Sequence, residues 1–146
     1  MPRKSKYQAG RKEAAVTLWN AALYVRLSRE DGDKEESDSV GNQRELLTNF
    51  VRLETDIEPY DIYTDDGYSG TNFERPAFQR MMEDVENHTV NCVIVKDLSR
   101  LGRNYIEVGQ YIEKIFPFMN VRFISVNDML DSVKNPQAMN NLIVPF

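Results

Sequence analysis

One cysteine, one histidine and one tryptophan are all that 146 residues hold of these types, and each scarcity excludes something. A lone Cys92 forbids an internal disulfide and a multi-cysteine metal site, and its place in the apolar run Cys92-Val93-Ile94-Val95 marks a buried, inert thiol. His88, in Glu86-Asn87-His88-Thr89, falls past an apolar helical stripe in a helix-ending turn, so histidine general-base chemistry finds little support. No apolar run approaches bilayer length and the N-terminus lacks a secretory core, which leaves a cytoplasmic protein with no membrane contact as the expectation.

Positive charge is also scarce once its location is considered. The net charge is −5, yet residues 1–12 carry Arg3, Lys4, Lys6, Arg11 and Lys12 with no acid; setting those five aside leaves −10 on the remainder. Such a body repels a long stretch of DNA, so any nucleic-acid contact must be local or made by other parts. Residues 1–18 read as a flexible basic tail. The acids between Arg29 and Ser39 do not follow the ligand order of an EF-hand, and that run reads as a solvated loop with no metal.

What is present is an alternation of strands and helices. Ala21 to Leu27 is a strand; Ser39 to Glu54 is a helix with Leu46, Leu47, Phe50 and Val51 at helical spacing and Ser39 or Asn42 as N-cap. Gln43 lies one turn earlier on the inward side, where it either satisfies buried backbone or faces a site. Ile57 to Thr64 is a second strand, followed by a loop from Asp65 to Asn72. The next helix opens at Pro76 and carries Phe78, Met81, Met82 and Val85; a third strand spans 92–96. Tyr105, Val108, Ile112, Ile115 and Phe116 predict a further helix, Val121 to Val126 a fourth strand, and Asn127 to Pro136 a loop before another amphipathic stripe. The pattern predicts an α/β domain of three layers, with a largely parallel sheet of four to five strands and helices on both faces. Residues 19–134 form that domain, and 135–146 begin a helix that the chain does not complete.

Parallel strands deliver the residues that follow them to one edge, where open sheets bind ligands. Ser28 follows the first strand, Asp66 and Ser69 the second, Arg100 and Arg103 the third; Arg26 alternates to the same strand face as Ser28. A serine hydroxyl is a weak nucleophile unless deprotonated or stabilised as an alkoxide, and clustered guanidinium groups supply the second, along with a cradle for phosphate oxygens. Asp66 could relay a proton or orient an arginine. The same edge would equally suit a non-catalytic phosphate- or nucleotide-binding α/β module.

Four motifs in order, Tyr24-Val25-Arg26-Leu27-Ser28, Asn42-Gln43, Asp66-Gly67-Tyr68-Ser69-Gly70 with Arg75 beyond, and Ser99-Arg100-Leu101-Gly102-Arg103-Asn104, resemble the catalytic domain of the serine recombinases, the resolvase and invertase family. The Leu-Ser-Arg-Leu-Gly-Arg-Asn form is similar to large serine recombinases of mobile elements. The resemblance implies that Ser28 attacks a DNA phosphodiester to give a 5′-phosphoserine linkage. It further implies that Arg26, Arg100 and Arg103 bind the phosphate, that Gln43 and Arg75 support it, and that Asp66 and Ser69 complete the site. Neither metal nor cofactor is required. Double-stranded DNA is the implied partner, held mainly by a region beyond this chain, with homodimers assembling to tetramers. Two departures stand out. Small resolvases have an aspartate where this chain has Ser99, with Asp97 two positions earlier, and the family's arginine on the long interface helix has no counterpart before Phe146, so residues 1–146 alone are expected to be nearly inactive.

Overall fold

The computed structural model describes residues 18–28, 39–67, 75–102 and 104–140, so the readings of the basic tail, of the acidic run 29–38 and of residues 141–146 lie outside it. Strand β1 (Trp19–Ser28) leads to helix α1 (Val40–Arg52), β2 (Ile57–Gly67), α2 (Pro76–Glu86) and β3 (Cys92–Val95). A single 3₁₀ turn (Leu98–Arg100) precedes α3 (Tyr105–Gly109), which continues through a π-helical segment (Gln110–Ile115) into α4 (Phe116–Phe118). Strands β4 (Arg122–Ser125) and β5 (Leu130–Asp131) and helix α5 (Pro136–Met139) complete the order. The sheet runs β2-β1-β3-β4-β5; its first four strands are mutually parallel and β5 is antiparallel.

Strand β1 lies inside the sheet between β2 and β3, and both its faces are apolar. Ala21, Leu23 and Val25 join Ile94 and Ile124 under Leu47 and Val51 of α1. Ala22 and Tyr24 join Val93, Val95 and Phe123 under Phe78, Met81 and Val85 of α2 and under Ile112 and Phe116. This is the three-layer arrangement expected of strands with near-continuous apolar runs. Helix α1 starts where Ser39 accepts a hydrogen bond from the Asn42 N–H at 3.1 Å, so Ser39, not Asn42, is the cap.

Several expectations shift. Strand β2 continues to Gly67, placing Asp65 and Asp66 on a strand rather than in a loop, because pairing with β1 persists through Ser28 and Gly67. The stretch read as a loop after Asn127 contains β5, too short to announce itself by alternation. Tyr105 is 72% exposed although it begins an apolar stripe: α3 starts beyond the end of β3 at Val95, and its first turn has no strand beneath it. Met82 is only partly buried. His88 ends α2 as expected, exposed and in the left-handed region with φ 63°. Cys92 is fully buried, and burial pushes its thiol pKa well up.

The N-terminal edge of the sheet is held by an unexpected charge. Arg122 is 1% exposed; its Nε donates to Asp131 Oδ1 at 3.0 Å, its Nη2 to Asp131 Oδ2 at 2.6 Å and its Nη1 to Asp56 Oδ2 at 3.1 Å. The guanidinium lies 5.6 Å from the Trp19 ring centroid. Breaking such a buried group by removing one partner strands the other charges, so Arg122→Ala is expected to cost about 3–5 kcal/mol, measured by urea unfolding.

Burial opposes ionisation of Asp131, but hydrogen bonds from Arg122 and from the Lys134 and Val133 N–H groups outweigh it and hold the carboxyl below its usual range. A carboxyl depressed on folding stabilises the native state above its unfolded pKa, and that stability is lost as pH falls through the folded value. Below about pH 4 the parent should therefore lose stability more steeply than Asp131→Asn, as read by unfolding free energy against pH.

Candidate active site

The parallel strands do bring their carboxyl ends to one edge, and the register is explicit: Arg26 lies beside Asp65, Leu27 beside Asp66 and Ser28 beside Gly67. Ser28 is thus the last residue of β1, in the sheet ladder and not after it. Arg103 and Ser69 lie outside the described residues.

Arg26 and Arg100 brace each other. The Arg26 Nε donates to the Arg100 carbonyl at 3.3 Å and its Nη2 to the Ser99 carbonyl, while Arg100 Nη1 donates to the Arg26 carbonyl at 2.9 Å. Arg100 is 3% exposed, and its Nε lies 3.5 Å from Asp97 Oδ1. Gln43, fully buried, clasps the same strand residue: its Nε2 donates to the Arg26 carbonyl at 3.0 Å and its Oε1 accepts from the Arg26 N–H at 3.3 Å. Of the two roles open to Gln43, satisfying buried backbone is the one these bonds display.

Arg75 is 7% exposed, donates from Nη1 to the Leu101 carbonyl at 2.6 Å, and stacks with its guanidinium carbon 3.7 Å from the Phe78 ring centroid. Glu107 lies 3.9 Å from it. Two arginines from separate elements, Arg26 and Arg75, therefore converge on the segment Ser99 to Leu101, and Arg100 within it donates back to the Arg26 carbonyl. Gly102 packs closely there: an added Cβ would sit 3.0 Å from the Glu107 side chain, which would have to give way.

The carboxylates divide differently from expectation. Asp65 is 4% exposed and caps α2 from the neighbouring strand, accepting from the Ala77 N–H at 2.9 Å and the Phe78 N–H at 3.0 Å, and from the Tyr24 hydroxyl at 2.7 Å. Burial, then the bond to Asp65, drives the Tyr24 pKa well above its ordinary value, so the phenol remains a donor. Asp66 is exposed and alternates to the α1 face with Ile62, while Tyr24 and Tyr63 lie on the α2 face. Asp65 went unremarked in the sequence; the signal for it was an α2 that opens on Arg75 with no capping side chain of its own. Among the described residues no cluster of His, Cys, Asp and Glu could hold a metal ion, and no helix is long and apolar enough to cross a membrane. A cleft of about 690 Å³ beside Trp19, Phe116, Arg122 and Met139 lies at the opposite edge of the sheet.

A largely parallel five-stranded α/β sheet with helices on both faces is the architecture of the serine recombinase catalytic domains. The family model "Resolvase, N terminal domain" matches residues 21–145, and the chain belongs to that family. A putative DNA recombinase of Bacillus subtilis (strain 168) is 33% identical over 109 residues, which cover 73% of this chain but only 20% of that protein. The N-terminal catalytic domain of TP901-1 integrase superposes with a TM-score of 0.69 at 30% identity, over 84% of this chain and 90% of that one. A resolvase family site-specific recombinase from Streptococcus pneumoniae gives 0.69 at 31% identity, over 85% and 83%. The C-terminal catalytic domain of ISC1926 TnpA, an IS607-like serine recombinase, gives 0.57 at 28% identity, over 73% and 69%.

Replacing Gln43 by Leu keeps bulk but removes both bonds to Arg26. A loss of about 1–3 kcal/mol in unfolding free energy is expected, with faster amide exchange at the end of β1.

Proposed function

We propose that this chain is the catalytic domain of a site-specific DNA recombinase, with the domain proper at residues 19–134 and residues 135–146 entering an interface helix. The observation that carries the proposal is the reciprocal brace of Arg26 and Arg100, which fixes two guanidinium groups near the end of β1, the strand that Ser28 closes. In the proposed reaction the Ser28 hydroxyl attacks a DNA phosphodiester. The Oγ–P bond forms, the bond from phosphorus to the 3′ oxygen breaks, the serine loses a proton and the 3′ oxygen gains one. Phosphate ester bonds are conserved in number, so religation needs no external energy source. Arg26, Arg100 and Arg103 bind the phosphate oxygens and stabilise the negative transition state; Arg75 and Gln43 support them, and Asp66 and Ser69 complete the site.

The net charge of −10 on residues 13–146 supports a division of labour. Duplex DNA is the substrate, gripped mainly by residues outside this chain, and the catalytic domain meets it at one phosphate. Homodimers that pair into tetramers in the cytoplasm are the assembly proposed for the whole protein. The family match does not favour the alternative of a phosphate-binding module without chemistry.

The test is covalent trapping with the protein expressed from its full reading frame and nicked duplexes taken from the ends of the DNA element carrying its gene. The parent should yield a protein–DNA adduct, and Ser28→Ala none; an adduct that survives Ser28→Ala sinks the assignment. Arg100→Ala should slow adduct formation about 100-fold or more.

A further inference from the structure

Position 99 holds a serine where the resemblance to small resolvases leads one to expect a carboxylate, and the turn folds a carboxylate back to that position. Asp97 Oδ1 accepts from the Ser99 N–H at 3.0 Å and from the Ser99 hydroxyl, and it lies 3.5 Å from Arg100 Nε. Ser99 is in turn gripped on its other side, where its carbonyl accepts from Arg26 Nη2. A single carboxylate oxygen therefore pairs with Arg100 by charge at 3.5 Å, without a hydrogen bond to its Nε, and reaches Arg26 through one residue.

We propose that Asp97 is a positioning residue of the recombinase reaction, which through Ser99 and Arg100 sets both guanidinium groups on the scissile phosphate. The inference rests on the function proposed above. The bland reading is that Asp97 merely caps a 3₁₀ turn. That turn has another support: the Leu98 N–H donates to Asp128 Oδ2 at 2.9 Å, and the same oxygen accepts from the Ser125 hydroxyl at 2.7 Å. A second carboxylate, from the segment after β4, thus anchors the turn independently of Asp97. The two roles also differ in chemistry. Asparagine caps as well as aspartate, so a cap alone is indifferent to Asp97→Asn, whereas the pairing with Arg100 needs the charge.

The experiment compares the parent, Asp97→Asn, the double variant Asp97→Asn with Ser99→Asp, and Ser28→Ala. All are full-length proteins on the nicked duplex that traps the parent, assayed for single-turnover adduct formation and, separately, for duplex affinity. Asp97→Asn should lower the adduct rate about tenfold while changing affinity less than twofold, since misplacement of reacting groups affects the chemical step. The double variant, which returns the carboxylate to position 99, should be faster than Asp97→Asn alone. A rate loss under fivefold in Asp97→Asn, or a double variant no faster than the single, overturns the inference. Ser28→Ala separates the two levels: an adduct persisting there overturns the functional reading and this inference with it. Loss of the adduct in Ser28→Ala beside an undiminished rate in Asp97→Asn overturns this inference alone.

Discussion

The Arg26 carbonyl is the point at which the site is assembled. It accepts from Gln43 of α1 at 3.0 Å and from Arg100 of the turn after β3 at 2.9 Å, so one oxygen joins a helix on one face of the sheet to a loop at its edge. Both bonds are partly buried, and one is charge-assisted, the stronger kind. The reverse bonds, from the Arg26 guanidinium to the Ser99 and Arg100 carbonyls, close the brace. The position of the chain just before Ser28 is therefore set by tertiary contacts from two separate elements. A strand end held only by its ladder would fray.

The arginines at the two edges of the sheet are held in different ways. At the N-terminal edge, Arg122 is consumed by Asp131 and Asp56 in a closed cluster whose partners leave it nothing further to do. At the C-terminal edge the arginines instead donate largely to backbone carbonyls of Ser99, Arg100 and Leu101. A carbonyl positions a guanidinium without neutralising it, whereas a carboxylate does both. The carboxylates nearest those arginines also stand farther off, Asp97 at 3.5 Å from Arg100 and Glu107 at 3.9 Å from Arg75, against 2.6 and 3.1 Å in the Arg122 cluster.

Much of this was legible in sequence. The apolar runs of β1 and β3 and the stripes of α1 and α2 impose two buried faces on the sheet, and parallel connection then fixes which edge receives Arg26, Ser28 and Arg100. The contacts that were not legible share a cause. Asp65 and Asp66 are adjacent and chemically identical, and which one is buried depends on how far β2 stays paired with β1, a tertiary fact. Gln43 could be placed on the inward side of its helix, but its partner is backbone seventeen residues away and leaves no pattern. Arg122 was read as one member of a strand, because the two aspartates that permit its burial lie nine and sixty-six residues distant.

An acidic domain can hold a phosphate if its positive charges are held close and its negative ones are spent. Asp65 is spent on the N-terminus of α2, Asp128 on the Leu98 N–H and Asp131 on Arg122. At physiological salt, charges more than about 8 Å away are largely screened when exposed. The net −10 therefore acts on long-range approach, while a phosphate within the site responds to the nearest guanidinium groups. Arg26 and Arg100 are already fixed against carbonyls, so under the proposed function little reorganisation would remain for the moment of reaction, the condition in which preorganised charge is worth most. The acidic body is thus compatible with the proposed function, under which distant attraction to DNA falls to other residues and local attraction to one phosphate.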